Sequence, residues 1–165
     1  MLDNKHAANR LLYLFNECWN QKTIPNSWHK ANVVSIFKKG DSALLKKYRP
    51  ISLLQVTYKL FASILLQRLK NAGAEQRLWP SQFGFRSGYG TNDGLFMLRR
   101  LIDKAAASKN DKLIVVALDW AKAFDAICPR ALCDALKRFG ICDHMIDIIS
   151  MIYSERIFNV RNPFR

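Results

Sequence analysis

A run of six apolar residues at positions 113–118 (LIVVAL) ends in Asp119 and continues as WAKAFD to Asp125. A buried strand that ends in an aspartate places its carboxylate at a sheet edge facing a cleft. There the oxygens can take a hard cation such as Mg²⁺. Asp125 is poorly placed to share that cation if the intervening residues turn into a helix. The residues alone leave a second reading open. An aspartate after a strand also serves as a turn former or helix N-cap, which for a lone Asp119 is the simpler assignment. Asp125 would likewise cap a helix starting at Pro129, and Phe124 would be a core aromatic.

Two further stretches could carry chemistry. Residues 28–54 read WHKANVVSIFKKGDSALLKKYRPISLL, with Lys30, Lys38, Lys39, Lys46, Lys47 and Arg49 against Asp41 as the acid. Closely spaced cations beside a turn suit phosphate oxygens, and Arg49 can grip one in bidentate fashion. A solvated charged loop is the alternative. Residues 82–93, QFGFRSGYGTND, combine glycines with aromatics. Such a segment lets backbone approach a nucleic-acid strand, with Arg86 on a phosphate or stacked on a base. Taken by itself it is also a plain glycine-rich loop.

The elements that must position these residues follow from periodicity. Leu11, Leu12, Phe15 and Trp19 predict an amphipathic helix over 8–20, stopped by Pro25. Residues 31–37 predict a strand that enters a basic turn at Lys38, Lys39, Gly40 and Asp41. Residues 53–69 predict a largely buried helix ending near Gly73. Residues 79–90 read as loop, with Thr91 as the cap of a helix striped by Leu95, Leu98 and Ile102. Residues 113–118 predict a strand buried on both faces. Pro129 suits the first turn of another helix, with Gly140 just past its end. A helix rich in Met and Ile follows from Asp143, and 156–160 alternates like a strand. Helices and strands do not alternate as in a doubly wound sheet, so the class is α+β.

Composition narrows the partners. The chain has 165 residues, half of them hydrophobic, and 26 Lys+Arg against 13 Asp+Glu give a net charge of +13. This much apolar material excludes a disordered polar tail. The charge points to a polyanion, most simply nucleic acid. It is uneven, with 16 basic and 5 acidic residues in 1–100 but 10 and 8 in 101–165. A membrane-spanning partner role fails, because the longest apolar run is far short of the ~20 residues a spanning helix needs. No secretory signal or other address is visible, and four cysteines without a CxxC pair give no zinc spacing. Reduced thiols in an intracellular protein, nuclear or cytoplasmic, are the expectation.

In order, WHKANVVSIFKKGD, KYRPISLL, WPSQFGFRSGYGTND and VALDWAKAFD resemble the first part of the reverse transcriptase domain of non-LTR (LINE-type) retrotransposons. The resemblance runs from about Trp19 to Val160. It implies a right-hand polymerase with fingers over 20–110 and the start of a palm over 111–165. It implies RNA-directed DNA polymerase (nucleotidyltransferase) activity for the complete enzyme, with an RNA template, a DNA primer and deoxynucleoside triphosphates as partners. Asp119 matches the first catalytic aspartate, a ligand of a two-Mg²⁺ site. Phe124 matches the aromatic under the incoming sugar that excludes a ribose 2′-hydroxyl. Lys38 and Arg49 fall in the segment that contacts nucleotide, Lys39, Lys46 and Lys47 in nucleic-acid-contacting fingers, and Gln82 and Arg86 along the template path.

The sequence departs from the family after VALDWAKAFD. The later glycine-containing motif and the aromatic–x–Asp–Asp turn do not occur within the 165 residues. The expectation is an incomplete palm, a fragment inactive on its own, with apolar faces left uncovered on 113–118 and on the helix after Asp143. Two rival readings remain: a non-catalytic basic RNA- or DNA-binding remnant, and a relative of group II intron-type reverse transcriptases.

Overall fold

The computed structural model describes residues 2–108 and 111–160. The last part of the expected palm, residues 161–165, lies outside them. In chain order the elements are α1 (Leu2–Gln21), β1 (Lys30–Phe37), β2 (Tyr48–Leu53), α2 (Val56–Asn71), α3 (Thr91–Ala107), α4 (Pro129–Arg138), α5 (Asp143–Tyr153) and β3 (Ile157–Val160), with short 3-10 turns before β1, before β2 and after α2. The class is mixed α and β. Contacts divide the chain into one unit of Met1–Leu69 with Cys128–Arg165 and another of Lys70–Ile127.

The first unit holds a three-stranded sheet in the order β2-β1-β3. β1 and β2 are antiparallel, with Ile36 opposite Arg49 and Phe37 opposite Tyr48, and β3 runs parallel to β1. Only the β1 half of the hairpin is apparent from sequence. β2 contains Pro50, which reads as a breaker, yet Pro is tolerated on an edge strand where one side needs no ladder bond. The strand therefore takes the residues through Leu53, and α2 starts three residues later than the periodicity predicts.

An aromatic cluster organises the core of this unit. Phe61 is 2% exposed and its ring lies 5.6 Å from Phe15 and 5.5 Å from Trp28. Trp28, buried, donates its indole N–H to Thr57 Oγ1 at 3.1 Å, so its one polar atom is satisfied. Cys18, Ile24, Leu65, Met145 and Ile148 complete the cluster. Two expectations are corrected here. α5 is not uncovered: Met145, Ile146 and Ile148 are buried, because α1 and α2 supply apolar partners from the N-terminal part of the chain. α2, in turn, is not largely buried, since Phe61 and Leu65 face inward while Leu60, Ile64 and Leu66 remain exposed.

Local signals at the helix ends behave as the sequence predicts, with two exceptions, the first being Asp125, which does not cap α4 because Cys128 holds its N-cap position. Pro129 opens α4. Gly140, at φ +80°, closes it as Gly140 N–H bonds Lys137 O and Ile141 N–H bonds Leu136 O, a Schellman closure. The second exception is Thr91, which is the first helical residue of α3 and not its cap. Gly90 holds the cap position, and the Asp93 carboxylate accepts the Gly90 N–H at 2.6 Å. The buried strand over 113–118 is absent. These residues carry no helix or strand, and Ile114 and Leu118 are 87% and 82% exposed.

Candidate nucleic-acid and nucleotide site

The turn end of the β1–β2 hairpin gathers five of the six singled-out cations, with Lys30 at the far end of β1. Strand pairing brings Phe37 opposite Tyr48, and their rings meet at 5.4 Å. Just beyond, Lys38 N–H bonds Lys47 O at 2.9 Å, so Lys38 and Lys47 flank the mouth of the connection. Inside it, Asp41 Oδ1 accepts the Ala43 N–H at 2.9 Å, and the Tyr48 hydroxyl donates to Ser42 O at 3.0 Å. Gly40 sits at φ +100°, where a Cβ would come within 3.3 Å of Lys47 Cε. The glycine thus permits both the left-handed turn and the passage of the Lys47 stem across it.

Asp41 is committed to the turn. Among the described residues no ion pair engages Lys38, Lys39, Lys46, Lys47 or Arg49. Arg49 lies opposite Ile36, on the sheet face away from buried Ala31 and Val33, and is exposed. Mutual repulsion on so short a hairpin is relieved by an anion, and phosphate oxygens fit the donors available.

The second unit contains the other candidates. Arg86 is turned inward on its own loop: its Nη1 donates to Trp79 O and Gln82 O, both at 3.2 Å, and its guanidinium stacks 4.5 Å over the Tyr89 ring. Gln82 reaches Gly84 O through Nε2 at 3.4 Å. The two side chains fasten residues 79–89 into one shape. Phe124, 74% exposed, stands on a turn closed by a bond from Ala126 N–H to Lys122 O. Its ring meets that of Phe85 edge-on, with centroids 6.0 Å apart and planes at 86°. Phe85 escapes sequence reasoning. Its signal is slight, a large aromatic between Gly84 and the polar Arg86-Ser87-Gly88 turn, and its left-handed φ of +61° leaves no mark in the residue types.

Asp119 lies exposed on the segment without strand or helix. Among the described residues no three His, Cys, Asp or Glu side chains come together as a metal cluster. One carboxylate on an unpaired segment does not fit a centre whose two ions sit ~3.5–4 Å apart and need several shared oxygens. No helix among the described residues is long and apolar enough to cross a membrane.

Comparison with known proteins adds to this geometry. Residues 36–164 match the family model described as "Reverse transcriptase (RNA-dependent DNA polymerase)". The chain is 31% identical over 153 residues to a probable RNA-directed DNA polymerase from transposon BS of Drosophila melanogaster, covering 92% of this chain and 17% of that protein. It is 30% identical over 141 residues to the Pol polyprotein from type-1 retrotransposable element R2 of Popillia japonica, covering 84% and 19%. A third relative, an uncharacterized 149 kDa protein of transposon TX1 from Xenopus laevis, is 29% identical over 142 residues, covering 86% and 11%. The chain spans less than a fifth of the length of each.

Proposed function

The chain belongs to the reverse transcriptase family, among the reverse transcriptases of non-LTR retrotransposons, and from that premise we propose that it forms the phosphate-gripping front of a right-hand polymerase. In this reading residues 20–110 are fingers and 111–165 begin the palm. Lys38 and Arg49 hold the triphosphate of an incoming deoxynucleotide. Lys39, Lys46 and Lys47 hold backbone phosphates of an RNA template or a DNA primer. Gln82 and Arg86 shape the loop that borders the template. Phe124 stands under the sugar, and Asp119 is the palm carboxylate that binds Mg²⁺ once further acidic ligands are supplied.

The observation that carries this reading is the β1–β2 hairpin, which concentrates five cations without an ion-paired acid in a chain of that family. The non-catalytic binding remnant and the group II intron-type relative are not favoured, since the named relatives are retrotransposon proteins. The reading is tested by incubating the 165-residue chain with an RNA template, annealed DNA primer, deoxynucleotides and Mg²⁺. Expected is binding of the primer–template without primer extension. Extension that disappears in Asp119→Ala would show a working centre in these residues alone and overturn the need for further acidic ligands beside Asp119. Absence of binding at low salt would overturn the whole.

A further inference from the structure

Residues 83–98 surround an open recess of about 610 Å³ in the second unit, walled by the rings of Phe83, Phe85 and Tyr89. Phe83 and Tyr89 lie 5.9 Å apart at 49°. Its glycines keep the approach clear: a Cβ built on Gly84 meets nothing within 4 Å. The acid nearest in sequence, Asp93, has its carboxylate on the Gly90 N–H and so closes the helix cap. The loop is held by Arg86 through two carbonyls and the Tyr89 face.

Phe85 is the unusual member. It is 90% exposed, and its φ of +61° is a left-handed conformation that a bulky residue adopts at an energetic penalty. A side chain that only sought burial would not be held this way. Strain of this kind gathers where a group must be presented in one orientation.

Resting on the reading that this chain binds nucleic acid, we infer that the Phe83–Phe85–Tyr89 recess is a stacking site for an unpaired base of single-stranded RNA or DNA. Planar aromatic walls match the π-face that every base offers, so the site takes bases without regard to sequence. Glycines let the sugar–phosphate backbone pass close, and the chain's net charge of +13 favours that polyanion over an apolar peptide. The site is separate in kind from the hairpin, which reads charge and not bases.

The test compares two strands of equal charge and length, a roughly 12-nucleotide oligothymidylate and the same backbone without bases. Binding is followed by fluorescence anisotropy for the unaltered chain, Phe85→Ala, Tyr89→Ala and Phe85→Trp. The base-bearing strand is expected to bind the unaltered chain about tenfold more tightly than the abasic one. Phe85→Ala and Tyr89→Ala should each erase most of that difference while leaving abasic binding in place, and Phe85→Trp should keep it. Because Phe85 is almost wholly exposed, its truncation is not expected to unfold the chain; far-UV circular dichroism checks this for both alanine variants. Equal, salt-sensitive binding of both strands to the unaltered chain overturns the stacking site while the phosphate-gripping hairpin stands. A preference that survives both alanine variants overturns this placement of it. If neither strand nor a primer–template binds at low salt, the stacking site and the reading it rests on fall together.

Discussion

Phe85 and Phe124, 39 positions apart in sequence, meet edge to face with ring centroids 6.0 Å apart and planes at 86°. The contact joins the glycine-rich loop of residues 79–90 to the turn that carries WAKAFD. Both rings remain mostly exposed. The pair is thus a presented surface and not a piece of core.

The backbone under Phe85 gives the first prediction. A left-handed conformation costs a residue with a Cβ about 1 kcal/mol relative to glycine. Phe85→Gly should therefore be more stable than Phe85→Ala by about that amount in urea unfolding, since both remove the same ring. Equal stability of the two variants would mean that the loop is free to leave φ +61° in solution.

Burial separates two apolar substitutions that look alike in sequence. Phe61→Ala removes a ring packed on Phe15 and Trp28 and should destabilise the first unit by about 3–5 kcal/mol. Leu118→Ala, at a residue 82% exposed, should change stability by less than about 0.5 kcal/mol. Thermal or urea unfolding of the two variants checks the contrast. A large loss at Leu118 would place residues 113–118 inside a core.

Acid should weaken one tie between α5 and Lys22, the residue that follows α1. Lys22 Nζ reaches Asp147 Oδ2 at 2.6 Å, and this hydrogen bond holds the Asp147 carboxyl below its ordinary range. A carboxyl depressed in the folded chain contributes stability above its unfolded value, near pH 4, and loses it as pH falls through the folded one. Asp147→Asn should remove that contribution at neutral pH and flatten the decline in stability below about pH 4. Both groups are substantially exposed, so the effect is small and should shrink further with added salt. An unchanged acid profile would contradict the pairing.

The cysteines should differ in reactivity. Burial pushes the Cys18 thiol above its usual range, and the residue is 3% exposed within the aromatic core. Cys128 and Cys142 are exposed. With a colorimetric disulfide reagent, Cys18 should react only at the rate of unfolding, after the exposed pair. Labelling of Cys18 under native conditions at the rate of the exposed pair would contradict its place in the core.

Much of this was legible in the sequence, and the failures share a cause. Pro129 and Gly140 act through φ and a few local hydrogen bonds, so their residue types suffice to locate the ends of α4. The basic turn after β1 is equally local. By contrast, β2 owes its existence to pairing with β1, which offsets the poor strand propensity of Arg49-Pro50. The run LIVVAL reads as a buried strand by composition, but a strand needs a partner edge, and none pairs with it among the described residues. Burial of α5 depends on α1 and α2, more than 70 positions away, which periodicity within α5 cannot reveal. The candidate site divides likewise. Its cations were visible as residue types, whereas the inward turn of Arg86 and the Phe85–Phe124 contact arise from loop geometry alone.

The most direct test of the phosphate-gripping hairpin is the salt dependence of primer–template binding. Affinity is measured from low to physiological salt for the unaltered chain and for a variant with Lys38, Lys39, Lys46, Lys47 and Arg49 all changed to Gln. If the five cations meet phosphates, the slope of log affinity against log salt should become shallower by about 4, with a large loss of affinity at low salt. An unchanged slope and affinity in a variant that remains folded would contradict the account.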